Sequence, residues 1–240
     1  VSNGSFSQEG TEQISNGNFS NWTNDNPDNW IVFNEDVNNY VTESLSGGEL
    51  RMVSDDTATL QIRQDGIITS GATYKIDVDV TEVISGSIRF QLNNQQQILD
   101  TVGSFTFYVT ADVSGFFAIT RQEACDVTID NVSVREVGQD WTLETGWSIA
   151  EDKAVANVIG TQAIYQSGIT LNKYYKVTYT ISDYVSGDIR VRVGTSSTPT
   201  VRSSNGTFTE YLFATGVDQI RISPFTSGFI GSITNISVKE

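Results

Sequence analysis

The chain has 240 residues, 38% of them hydrophobic, and a net charge of −15 from 14 Lys and Arg against 29 Asp and Glu. A surface this acidic repels phosphate, which excludes nucleic acid and an anionic membrane as partners. The absence of histidine removes Ser-His-Asp and Cys-His pairs, imidazole bases and His-ligated metals; the lone Cys125 excludes an intrachain disulfide, and no apolar run of about 18 residues offers a membrane insertion.

The chain opens on VSNGSF at residues 1–6, a near-copy of ISNGNF at 14–19. Residues 1–10 read as an N-terminal strand or tail, because termini are usually loose. The competing expectation is that Val1–Phe6 pairs with the second half of this chain or of a neighbouring one. After it come NWTNDNPDNWIVFNED at 21–36 and a polar insert, VNNYVTESLSGG, at 37–48. Short alternating runs follow: YKIDVDVTEV, SIRFQL, SFTFYV and TIDNVSV. Beyond the short joint REVGQD the second half runs AIYQSGITL, YYKVTYTISDYV, DIRVRV and QIRIS. Alternation with β-branched and aromatic residues between Gly, Asn, Asp and Ser predicts strands with one buried face. No segment holds a helical period, so the chain is all-β.

The halves repeat. YKIDVDVTEVISGSIRFQL from Tyr74 and YKVTYTISDYVSGDIRVRV from Tyr175 align without a gap at an offset of 175 − 74 = 101. IRQDGI matches IYQSGI, GSFTFYVTA matches GTFTEYLFA, and DNVSVREV matches TNISVKE. At the front, NWTNDNPDNWIVFNED against DWTLETGWSIAED aligns Trp22 with Trp141 and Trp30 with Trp147. Two domains are therefore expected, at residues 11–137 and 138–240.

These landmarks (an opening N-G-[DN]-F, a Trp soon after, a closing strand with D-[DN]-[VI]-S) resemble those of galactose-binding-like jelly rolls grouped with carbohydrate-binding modules. The resemblance covers nearly the whole chain. It implies two tandem antiparallel β-sandwich (jelly-roll) domains. The plain tandem endings resemble those of phage virion proteins and of secreted bacterial surface proteins. The implied role is non-catalytic: a virion component such as a capsid decoration, fibre or tail accessory protein, at a virion surface or outside the cell. The alternative is a secreted bacterial carbohydrate-binding module or adhesin fragment. The implied partners are a glycan or another virion or surface protein, with a homo-oligomer or lattice as the possible assembly. Family members often hold one structural calcium between the opening segment and the last strand. That implies a site in the first domain using Asp130 and Asn18, with Asn16–Phe19 supplying carbonyls, and none in the second, where Thr234 replaces Asp130.

Aromatic residues kept in both copies, the tryptophans, Tyr74 and Tyr175, are expected in the cores. Ligand candidates are the aromatics found in one copy only: Tyr40, Tyr165, Tyr184 and Phe225, with Phe107 and Phe116 beside them. Arg89 recurs as Arg190, whereas Arg63 is matched by Tyr165. A recurring strand arginine is expected to pair with a carboxylate across the sheet. No P-loop, GxGxxG or CxxC occurs, and no motif separates an acid from a base, so no enzymatic activity is expected.

Overall fold

The computed structural model describes residues 1–55, 57–195, 199–226 and 228–240. The chain forms two compact units. The first is Gly10–Glu136; the second combines Val1–Glu9 with Val137–Glu240. The first unit therefore lies, along the chain, inside the second. No helix of the described residues is long and apolar enough to cross a membrane.

The strands that build the first unit are β1 (Glu9–Glu12), β2 (Trp22–Thr23), β3 (Asn26–Pro27), β4 (Ile31–Phe33), β5 (Asn39–Glu43), β6 (Leu50–Ser54), β7 (Gln61–Ile68), β8 (Thr73–Ser85), β9 (Ile88–Leu92), β10 (Gln95–Leu99), β11 (Gly103–Thr110), β12 (Gly115–Arg121) and β13 (Cys125–Val137). One sheet has the order β11-β8-β13-β6-β5, with β1 also on β13; the other has the order β10-β9-β12-β7-β4. Alternation decides what faces inward. Ile76, Val78 and Val80 of β8 pack in one core with Ile88, Phe90 and Leu92 of β9 and Phe117 and Ile119 of β12. The residues between them face out.

The second unit repeats this with β14 (Thr142–Leu143), β15 (Trp147–Ala150), β16 (Lys153–Val158), β17 (Ile164–Ser167), β18 (Tyr174–Gly187), β19 (Arg190–Val193), β20 (Gly206–Phe213), β21 (Gln219–Ser223) and β22 (Phe229–Lys239). Its larger sheet has the order β15-β16-β22-β18-β20 and its smaller one β14-β17-β21-β19. Both units are thus antiparallel β-sandwiches of the jelly-roll kind. The polar insert at 37–48 is not extra structure throughout: it contains β5, which pairs with β6 as β15 pairs with β16. Part of the added length is the hairpin loop from Ser44 to Glu49, where the second unit turns through Glu151 and Asp152.

The two landmark motifs are halves of one interlock. In the first unit, the turn at Asn16–Phe19 closes with Phe19 N donating to Asn16 O at 3.2 Å, and Phe19 is fully buried beside Trp30 with ring centroids 5.6 Å apart. Asn131 interrupts β13 at φ 52°, in the left-handed region that Asn tolerates, and Val132 N then donates to Gly17 O at 2.9 Å. The approach is too close for a side chain: a Cβ on Gly17 would stand 2.0 Å from Val132 O. In the second unit the same parts appear, but the turn comes from the first residues of the chain. Phe6 N donates to Asn3 O at 3.1 Å, Phe6 is 1% exposed, and its ring lies 5.4 Å from Trp141. Asn235 takes φ 53°, Ile236 N donates to Gly4 O at 2.8 Å, and a Cβ on Gly4 would stand 2.0 Å from Ile236 O. Residues 1–6 are therefore the missing opening turn of the second unit and not a loose tail.

This geometry also corrects the tryptophan alignment. Trp30 Nε1 donates to Asn16 O, and Trp141 Nε1 donates to Asn3 O and Ser2 O. Trp141 is the partner of Trp30, not of Trp22. Trp147 instead stacks on Phe229 at 6.4 Å, and Trp22 is half-buried with Nε1 on Phe19 O.

Candidate binding faces

In each unit the outward face of the smaller sheet gathers groups that a packed core would not need. On the first unit, β9 presents Arg89 and Gln91, β12 presents Ala118 and Thr120, and β7 presents Gln61 and Arg63. Thr120 is fully buried although it points away from the core. Its hydroxyl accepts from Gln61 Nε2 at 2.9 Å and donates to Gln91 Oε1 at 2.9 Å. The larger side chains thus roof a hydroxyl and amide floor. Arg63 stacks between Phe33 and Phe116, at 4.4 and 5.1 Å from the ring centroids, and pairs with Asp65 at 2.9 Å. Arg89 does not form the ion pair expected of it. No carboxylate of the described residues reaches it, and its Nε is buried without a hydrogen-bond partner.

The second unit has a more cationic version. Arg192 of β19 stands directly opposite Arg221 of β21, which stands opposite Tyr165 of β17; one step along, Arg190 faces Ser223. Ser223 is 1% exposed, as Thr120 is in the first unit. Arg221 pairs with Glu144 at 3.0 Å and lies 5.5 Å from the Tyr165 ring. Glu144 is also tied to the backbone, accepting from Ala163 N at 2.7 Å. Arg190 lies over the Phe225 ring at 4.7 Å. Asp188 spends its oxygens on the Phe225 and Thr226 amides and the Thr226 hydroxyl, at 2.6, 3.1 and 2.6 Å. Arg192 has no carboxylate partner among the described residues, and the Nε atoms of Arg190 and Arg192 are buried without hydrogen-bond partners. Burial, with the like charges of Arg190 and Arg221, holds the Arg192 guanidinium below its ordinary range.

The structure brings Tyr165 and Phe225, two of the four ligand candidates, onto this face. Tyr184 lies elsewhere, its hydroxyl donating to Gly187 O at 3.0 Å and its ring 6.3 Å from Phe229. Tyr40 lies on β5 and lines a cavity of about 530 Å³ with Asp25, Glu35 and Asp36. Phe107 is partly buried against Phe90 at 6.0 Å, while Phe116 belongs to the Arg63 stack. A cavity of about 630 Å³ in the first unit lies on the other sheet. Its arginine, Arg51, is already bound bidentately by Asp126 at 2.7 and 2.6 Å, which leaves it less to offer a ligand.

For the calcium site, Asp130 Oδ1 accepts the Asn131 amide at 2.6 Å, and burial raises its pKa, with Glu49 and Asp79 adding like charge. Asn18 Oδ1 accepts from the Ser20 hydroxyl at 3.1 Å. Among the described residues no group of three or more His, Cys, Asp or Glu is placed to hold a metal. Calcium takes roughly six to eight oxygens, so an ion here would draw most of them from backbone carbonyls such as those of Asn16–Phe19. Thr234, at the matching place, donates to Asp152 O at 3.0 Å.

Sequence reasoning missed a second group of one-copy aromatics. Tyr174 and Phe213 stand opposite each other on β18 and β20 with rings 4.8 Å apart, and Tyr211 lies on the same face. Tyr174 is 71% and Tyr211 73% exposed. Tyr174 and Phe213 align with Thr73 and Thr110, so the one-copy criterion contained the signal for both.

No protein-family model matches the chain, and no curated protein matches its sequence. Among solved structures it is similar to the N-terminal tandem CBM22 pair of Paenibacillus barcinonensis Xyn10C, at 10% identity and TM-score 0.40, over 97% of this chain and 98% of that one. An allantoicase structure is similar at 6% identity and TM-score 0.32, over 98% and 92%. Likenesses of this size bear on neither ligand nor activity.

Proposed function

We propose that the protein is a non-catalytic, glycan-binding pair of jelly rolls working at an outer surface, as a virion component or an extracellular one. The observation that carries the reading is the pair of outward faces on the smaller sheets. Five of the chain's 14 basic residues, Arg63, Arg89, Arg190, Arg192 and Arg221, stand there. In a chain of charge −15 they form cationic islands, and two of them, Arg89 and Arg192, lack a carboxylate partner among the described residues. The terminal nitrogens of a guanidinium are its accessible donors, and a hydrogen bond to a charged group contributes about 1.5–3 kcal/mol. The donors are planar guanidiniums beside aromatic rings over neutral hydroxyls and amides. A pyranose presents the complement: vicinal oxygens around its rim and an apolar C–H face. The chain has no histidine to act as a base, which fits binding without turnover.

The test is a glycan array probed with the full chain and with Arg89→Gln, Arg63→Gln and Arg192→Gln variants. Retention of a glycan class by the wild type, weakened in any variant, supports the reading. No retention of any glycan, or retention that all three variants leave unchanged, overturns it.

A further inference from the structure

From the second unit's face we infer a more specific ligand: a carboxylate-bearing saccharide, whose acid group is taken between Arg190 and Arg192 while its ring lies against Phe225 or Tyr165. The inference rests on the glycan-binding reading and adds the charge.

The argument begins with the ladder. Arg192 and Arg221 are directly opposed on neighbouring antiparallel strands, and like charges so placed repel. Glu144 neutralises Arg221. Nothing among the described residues neutralises Arg192, and the residues of this unit outside the description, Ser196, Ser197, Thr198 and Ser227, carry no acid. Folding therefore holds one uncompensated cation at the centre of a sheet face. The first unit shows that the fold does not require it: Gln91 stands where the second unit has Arg192, and Ala118 where it has Arg221. At these two positions the face is neutral in the first unit and cationic in the second.

Geometry favours a small planar anion. Arg190 and Arg192 are two residues apart on β19 and share its outward face, so their guanidiniums stand side by side over the sheet. The Nε of each is buried, so the terminal nitrogens are the donors offered to a ligand. Planar guanidiniums match carboxylate oxygens bidentately. The aromatic groups at the rim favour a sugar acid over a bare acidic peptide: Phe225, 48% exposed, stands beside Arg190, and Tyr165 beside Arg221. An acidic segment of a second copy is the competing occupant, and it is separable by experiment.

The full chain is titrated calorimetrically with oligogalacturonate, oligomannuronate and their methyl-esterified forms, which keep the sugar and remove the charge. The expected result is tighter binding of at least one acid than of its ester, weakening with added salt. Arg192→Gln should lower that affinity by roughly 10–100-fold, as loss of a charge-assisted pair does. Binding of the esters should be unchanged, and Arg190→Gln, which removes the other arginine of the pair, should lower acid binding in the same way should Arg192→Gln fail to fold. Equal binding of acid and ester overturns this inference and leaves the glycan reading intact. Absence of binding to every array glycan overturns both. Salt-sensitive self-association of the protein alone, abolished by Arg192→Gln, assigns the face to a second copy and also overturns it.

Discussion

Replacing Phe6 with alanine should destabilise the second unit and leave the first untouched, although Phe6 precedes the first unit in the chain. Phe6 is 1% exposed and packs on Trp141 at 5.4 Å. Truncating a buried Phe to Ala costs about 3–5 kcal/mol, from lost transfer free energy and the residual cavity. A domain of this size has about 5–15 kcal/mol in all, so the single change removes a large part of it. For a unit of this length the melting point should fall by about 10–20 °C. The turn around Phe6 would suffer as well: Ser2 N donates to Gln166 Oε1 at 2.8 Å, and Gln166 Nε2 donates back to Ser2 O at 3.1 Å. The assay is hydrogen exchange resolved by segment, alongside urea unfolding. Protection should drop in β16, β18 and β22 and persist in β8, β9 and β12. A loss below about 1 kcal/mol, the scale of an ordinary surface substitution, or a loss confined to the first unit, would refute the assignment of residues 1–6 to the second.

Gly17→Ala should destabilise the first unit by about 2 kcal/mol or more, by thermal unfolding, since the new methyl would collide with Val132 O and backbone cannot step aside cheaply. Burial would raise the Glu12 pKa, but hydrogen bonds from the Ser133 hydroxyl, the Val134 and Ile14 amides and Arg135 outweigh it and lower it. A lowered folded-state pKa gives stability that is full above the ordinary glutamate range and lost as pH falls through the folded value. Glu12→Gln should therefore cost stability at pH 7 by urea unfolding and cost less in acid, below the folded-state pKa. Asp130 has the opposite sign: burial raises its pKa, so its ionisation opposes folding at neutral pH. Asp130→Asn should raise the first unit's melting point at pH 7, an advantage that fades in acid. A wild-type gain in melting point with added calcium that Asp130→Asn abolishes would instead place an ion at that carboxylate.

Much of this fold was legible because period-2 alternation carries it. The runs at Tyr74 and Tyr175 predicted β8 and β18, and the offset between them predicted two units. Asn131 and Asn235 recur because each must hold a left-handed bend inside a strand, a physical need that a repeat exposes. The tryptophan alignment failed because two NW-like steps lie close together in the first copy, and only the turns that cap Trp30 and Trp141 decide between them. The destination of VSNGSF was not legible, since chain order does not say which core receives a buried Phe. The arginine faces were half legible. Alternation puts Arg89 and Arg190 outward, but their neighbours come from β7, β12, β17 and β21, whose adjacency is a matter of strand order. The missing ion pairs follow from that order, because the strands beside β9 and β19 bring hydroxyls, amides and arginines, and among the described residues no acid reaches Arg89 or Arg192.

The most direct measurement is an amide and arginine side-chain chemical-shift map of the full chain titrated with a glycan retained on the array. The account predicts perturbations concentrated on Arg63, Arg89, Gln91 and Thr120 in the first unit, on Arg190, Arg192, Arg221 and Tyr165 in the second, or on both sets. Perturbations confined to the exposed Tyr174, Tyr211 and Phe213 face, or to the cavity beside Tyr40, would contradict it.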